Sequence, residues 1–415
     1  MKTNRFFIGW LIFFLMSACG GGTQSQAPTL TSAPPTLIVE SVTATSTITL
    51  TPAPPPPSAT ATLPPVPNTQ AECKLNPIAF INVGFGFPKP SNTLPSLGTV
   101  KTIVLFADFE GVPASQTPEE LFSMVSPGAE AFYRAISYGK MNYVLEPHFT
   151  WLRLSKPSST YGQAIRNYDG HLQFIQEAVT LADANVDFST ADSVLVMVPP
   201  EASAIPYGPA FMGFDGGGYT ADGKVFSTGV TSGADLPHWG FLWLNHETGH
   251  SMVLPDLYLY GSSNPLRYVG DFGVMGNIAG FAPEYFAFER WQVGWLDDNQ
   301  IFCQLDGEQV VTLTAIEIPG GIKAVMIPVG TSKVVVVESR KSLGYDTALV
   351  KEGALVYTVD TAIASGEGTL VITSAGATLE QAPLAVGESV TVAGVTITVL
   401  EATSESDTVQ VTINQ

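Results

Sequence analysis

Two imidazoles and a carboxylate lie close together in Asn245-His246-Glu247-Thr248-Gly249-His250. A spacing of four puts His246 and His250 on one face of a helix, where both rings can reach one ion. Neutral imidazoles suit zinc, which lowers the pKa of water toward about 7. Glu247, beside the first ligand, can take a proton from that water as it attacks a carbonyl, then pass it to the leaving nitrogen. The chain has 5 His and 37 Asp plus Glu in 415 residues. Chance alone would give such a His-acid-x-x-His pattern about 0.005 times in a chain of this composition. That disfavours the plainer reading of two surface histidines on a core helix.

A catalytic zinc takes three protein ligands and keeps one position open. Pro255 forces Leu254 out of α geometry and ends the helix, so the chain must turn there. Asp256 can then fold back to the ion as the third ligand. Glu284 and Glu289, on a later helix in the segment 283–291, are the competing carboxylates. His148, His171 and His238 carry no assignment and read as structural or surface residues. The Gly-rich stretch from Asp215 to Asp222 offers two carboxylates to calcium, although a solvated loop explains it as well.

These residues need a scaffold, and the apolar pattern supplies one. Residues 102–107 and 193–198 read as buried strands, short and apolar. Residues 119–137 and 171–184 have helical spacing, the first interrupted by Pro127-Gly128. The stretch 199–235 is rich in Gly and Pro and is expected to be one long irregular loop. After Trp295 the pattern changes to short β-rich runs at 309–315, 333–339, 353–360, 369–373, 389–400 and 408–413, with 391–399 reading as a hairpin. The expected fold class is therefore an α/β catalytic domain over 73–300, its zinc helix crossing a sheet, followed by an all-β sandwich-like domain over 301–415.

The amino-terminal end reads as a targeting signal. Lys2 and Arg5 precede an apolar run over 6–16, which is shorter than the roughly twenty residues of a membrane span. Met16-Ser17-Ala18-Cys19 resembles the bacterial lipobox, which implies a signal peptide over 1–18 and diacylglycerol on Cys19. Residues 23–72 hold twelve Thr and eleven Pro, so 19–72 is expected to be a disordered stalk. Charged residues are only 13% of the chain, and the net charge is −19. That balance excludes nucleic acid as a partner and also electrostatic docking on anionic lipid. With Cys19 acylated, Cys73 and Cys303 remain in an exported chain, and a disulfide between them is expected.

The stretch His246-Glu-x-Gly-His250-x-x-x-Leu-Pro-Asp256-Leu-Tyr258 resembles the active-site helix of the immune-inhibitor-A-like secreted metallopeptidases, within the wider metzincin pattern. Gly270-Asp-Phe-Gly-Val-Met275-Gly276 resembles the family's Met-containing turn, which implies that Met275 packs beneath the metal. Phe286–Leu296, the Phe132–Lys140 stretch and Val337–Asp346 resemble further family segments in the same order. The resemblance implies a zincin-type zinc endopeptidase acting on extracellular proteins; the leader adds a lipid anchor at the bacterial cell surface, and a monomer is expected. One position departs from the family: the Gly before Leu-Pro-Asp is Val253. That Gly ends the helix with positive φ, so either Val253 accepts strain or the turn takes another path and moves Asp256 from the metal. This position and the low-charge β region leave a rival reading, a lipid-anchored binding or adhesion protein on a retired protease fold. Asn277 stands where some metzincins carry a tyrosine after the Met.

Overall fold

The computed structural model describes residues 70–213 and 216–414. The signal segment, Cys19, nearly all of the stalk and Asp215 lie outside the described residues. The strands in the first part of the chain are β1 (Gly98–Phe109), β2 (Met141–Leu154), β3 (Ser193–Met197), β4 (Ala210–Met212), β5 (Tyr219–Ala221), β6 (Lys224–Phe226) and β7 (Thr228–Thr231). Five of them form one sheet in the order β2-β1-β3-β7-β4. All its neighbouring strands run parallel except β4, which pairs antiparallel with β7 at the sheet's edge.

Strand alternation divides this sheet between two cores. On β1, Val100, Val104 and Phe106 face one apolar cluster, whereas Ile103, Leu105, Ala107 and Phe109 face another. On β3, Leu195 and Met197 join the first cluster and Val194 and Val196 the second. Coverage on both faces explains why these strands read as continuous apolar runs. The second cluster is closed by the helix Tyr168–Ala182, which contributes Phe174, Ile175, Ala178 and Val179 at helical spacing. The first cluster receives Trp243 and Leu244 of the helix Phe241–Ser251 and Phe132, Tyr133 and Ile136 of the helix Gly128–Ile136.

The expected loop over 199–235 is corrected: it contains β4, β5, β6 and β7. These strands have three or four residues each, too short for any period to show. The helical pattern over 119–137 resolves into two helices, Pro118–Phe122 and Gly128–Ile136, with Pro127 between them.

Further strands are β8 (Ile301–Cys303), β9 (Glu308–Thr314), β10 (Ala324–Pro328), β11 (Lys333–Arg340), β12 (Gly353–Asp360), β13 (Leu370–Thr373), β14 (Ser389–Val392), β15 (Val395–Ala402) and β16 (Ser406–Ile413). They form two sheets, β13-β12-β11-β10-β8 and β14-β15-β16-β9. The expected hairpin joins β14 to β15, with Ala393 and Gly394 both at positive φ. β11 shows how these sheets join the rest. Val335 and Val337 point into a core shared with β15 and β16, while Val334 and Val336 belong to the first cluster with Trp243 and Met275. That first cluster thus runs unbroken from Cys73 to Ala382. Cys73 and Cys303 form a disulfide, linking the start of the described chain to β8.

Candidate metal centre

The helix Phe241–Ser251 begins at Gly240, whose φ of +60° turns the chain sharply into it. It is anchored by Asn245. The Asn245 carbonyl accepts hydrogen bonds from Tyr133 and Tyr285 hydroxyls at 2.8 and 2.7 Å, and its side-chain amide donates to the Ala129 carbonyl. Its carboxyl end carries a Schellman arrangement: Leu254 N–H donates to Gly249 O, and Val253 N–H to His250 O. Val253 occupies the left-handed position itself, at φ +93°, and is fully buried. The valine therefore accepts the strain, and the turn keeps the path that a glycine would give it.

Asp256 is delivered by that turn. Its Oδ1 lies 3.1 Å from His246 Nε2 and 3.3 Å from His250 Nε2. Among the described residues these three side chains form the group able to hold a metal ion, with ligand atoms all within 4.8 Å of one another. Both rings are oriented from behind. His246 Nδ1 lies 2.8 Å from Val274 O, and His250 Nδ1 lies 2.7 Å from Leu254 O. A carbonyl can only accept, so each Nδ1 carries a hydrogen, and each Nε2 is the atom turned toward the centre. Asp256 Oδ1 is buried and accepts no hydrogen bond. Two imidazole Nε2 atoms and a carboxylate oxygen meeting at one point fit a cation.

Charge agrees with that fit. Burial opposes ionisation of His250, but the Asp256 carboxylate beside it holds the imidazole up at about 9. Burial likewise opposes the charge on Asp256, but His250 holds this carboxyl well below its usual range. The centre thus favours a positive charge against Asp256, whether proton or metal. Glu247 stands apart from the ligand set. Its Oε2 accepts the Ala210 N–H at 2.9 Å, and burial raises its pKa, although the neighbouring His246 partly offsets this.

Met275 is buried directly against the helix: a Cβ built on Gly249 would lie 2.5 Å from its Sδ. Its carbonyl accepts Leu257 N–H, and the preceding carbonyl, of Val274, is the one that orients His246. The rival carboxylates are not at the centre. Glu284 pairs with Arg290 at 2.5 Å, and Glu289 accepts the Phe286 N–H at the start of its own helix. His238 packs edge-on against Trp239, and Asp222 accepts the Phe188 N–H. His171 is buried in the wall of the cleft, 2.8 Å from Thr231 Oγ1, and burial lowers its pKa to about 3.

The centre opens into a cleft of about 1000 Å³ lined by Glu247, Ala210, Met212, Tyr207, Tyr258 and Ile81 among others. β4 forms one side. Thr231 N–H donates to Pro209 O and Gly213 N–H to Ser227 O, so 209, 211 and 213 face β7, and the backbone groups of Ala210 and Met212 face the cleft. Ala210, Tyr260 and Ser365, which hold Glu247 and Asp256, carry no sequence signal of their own. No protein-family model matches this chain, and no curated protein matches it in sequence.

Proposed function

We propose that this chain is a zinc-dependent endopeptidase of the zincin type, similar to the immune-inhibitor-A-like metallopeptidases, that cleaves extracellular proteins. The observation that carries the reading is the meeting of His246, His250 and Asp256 at one point, with Glu247 beside them in an open cleft. Held by these three residues, zinc would supply a Lewis acid that acidifies water and polarises a carbonyl oxygen. Glu247 is the base. Its Oε2 is occupied by the Ala210 N–H, which leaves Oε1 to take the proton from water and return it to the leaving nitrogen. A raised pKa suits that exchange near neutral pH. Tyr258 lines the cleft, and burial and the Asp256 carboxylate beside it keep its hydroxyl protonated.

The free edge of β4 supports a peptide as substrate. An extended segment can pair with the outward N–H and C=O groups of Met212 and so cross the centre in a fixed direction. The rival reading, a retired protease serving as a binding protein, draws on Val253 and on the low-charge β region; the position of Asp256 Oδ1, 3.1 Å from His246 Nε2, supports the enzyme instead. The leader adds location: cleavage before Cys19 and acylation of its thiol would hold a monomer on the outer face of a bacterial membrane. Among the described residues no helix is long and apolar enough to cross a membrane. The test is zinc content and casein hydrolysis, measured beside Glu247→Gln. One zinc in both proteins, with hydrolysis only in the unaltered one, is expected. Zinc without hydrolysis in either would favour a binding module, and absence of zinc would overturn the reading.

A further inference from the structure

The third ligand is gripped by a loop that belongs to the carboxy-terminal sheets. β12 and β13 are joined by residues 361–369, and this loop reaches back to the turn that carries Asp256. Asp256 N–H donates to Ser365 Oγ at 2.9 Å, and Gly366 N–H donates to Asp256 O at 3.0 Å. Tyr260 N–H donates to Gly366 O at 2.9 Å. The Tyr260 hydroxyl donates to Asp256 Oδ2 and lies 3.3 Å from Ser365 Oγ. Both backbone groups of the ligand residue and one of its carboxylate oxygens are thereby committed, and only Oδ1 is left facing the imidazoles. Gly366 is required by contact as well as conformation: it sits at φ +74°, and a Cβ there would lie 2.3 Å from the Tyr260 ring.

We propose that Ser365 and Gly366 are positioning residues for the metal centre, so that the carboxy-terminal β region sets the centre's affinity for zinc. The physical reason is preorganisation. Asp256 follows a turn strained at Val253, and a free carboxylate there would sample orientations in which Oδ1 leaves the two Nε2 atoms. The Ser365 hydroxyl is the one side-chain contribution from the loop to Asp256 itself, so it can be removed while the bonds of Gly366 to Asp256 O and to Tyr260 N–H stay in place. This inference rests on the metal centre but not on peptide hydrolysis.

The test is the zinc dissociation constant of the full chain, by chelator competition, for Ser365→Ala, Ser365→Thr and a control, Ser374→Ala. Ser374 lies just past β13 and bonds only within its own turn. Ser365→Ala is expected to weaken zinc binding by about 10-fold or more, and Ser365→Thr, which keeps a hydroxyl, to restore it to within a few fold. Thermal unfolding of the metal-free proteins separates positioning from folding: Ser365→Ala leaves the buried Asp256 N–H without its acceptor and should lower the midpoint by about a few degrees at most, far less than the loss in zinc affinity would require. The proposal is overturned if Ser365→Ala holds zinc as tightly as the unaltered chain, or if threonine fails to rescue it. It is also overturned if the loss in affinity simply follows a drop in metal-free stability. If the unaltered chain takes up no zinc, the metal reading falls and this inference with it. If zinc is held and nothing is hydrolysed, the inference stands alone.

Discussion

Gly249 and Met275 are in such close contact that no side chain larger than hydrogen fits between them. A Cβ on Gly249 would lie 2.5 Å from Met275 Sδ and 2.8 Å from the Tyr285 hydroxyl. Met275 is fully buried, and the Tyr285 hydroxyl is bonded to Asn245 O, so neither neighbour has room to withdraw. Gly249→Ala should cost about 1–3 kcal/mol by overpacking, even though alanine is the better helix former. It should also weaken metal binding, because the strain falls between His246 and His250. Urea unfolding of the metal-free chain, with a zinc titration beside it, checks both. A stabilised variant would mean that the Met275 turn moves freely.

Gly249 also shows what could be read from the sequence. His246, Glu247 and His250 were legible because a spacing of four has one geometric meaning on a helix, and Asp256 because Pro255 marks where the helix stops. Met275 was legible only through a family resemblance, since a methionine in a Gly-rich turn has no period. The supporting groups were not legible. Ala210 acts through its backbone N–H, which every residue but proline has. Ser365 is separated from Asp256 by 109 positions, and no local rule links them. The strands β4 and β7 were hidden for another reason: three or four residues cannot display alternation, and their pairing is decided by β3, to which β7 is bonded.

At Val253 the usual ranking of small residues should reverse. This valine is fully buried at φ +93°, a conformation costing a β-branched residue roughly 1–2 kcal/mol. Val253→Ala removes two buried methyl groups, a loss of about 1.6 kcal/mol or more, and keeps most of the strain. Val253→Gly loses more contact but relieves φ. Glycine ordinarily costs about 0.5–1 kcal/mol against alanine inside a regular element. Here it should be at least as stable, as judged from urea midpoints of the two variants. An alanine variant ahead by the ordinary margin would show that the turn bears no strain.

His171 should give the fold an acid-side weakness. Burial lowers its pKa from 6.5 to about 3, so between those values the unfolded chain binds a proton that the folded chain does not. Stability must then fall as the pH drops below about 6.5, by up to about 1.4 kcal/mol per pH unit for this one group. His171→Gln keeps a donor for Thr231 and has nothing to titrate. Denaturation midpoints taken from pH 6.5 to 4.5 should decline less steeply in the glutamine variant. Parallel curves would mean that His171 reaches water in the native state.

The outward face of β4 offers a test of how a substrate lies in the cleft. Met212 directs its N–H away from β7, because Phe211 and Gly213 make the bonds to that strand. A proline at position 212 would therefore remove no hydrogen bond of the fold, since proline is tolerated on an edge strand where the N–H faces outward. It would remove one donor from any peptide pairing with the edge. A single such bond contributes about 0.5–1.5 kcal/mol, so Met212→Pro should lower kcat/KM on casein by up to about 10-fold, while zinc content and thermal midpoint hold. A thermal midpoint that collapsed would point to a pairing role for Met212 within the sheet. Unchanged kcat/KM would place the substrate elsewhere in the cleft, whose lining also includes Ile81 and Tyr258, and β4 would then serve only to hold Glu247 through Ala210.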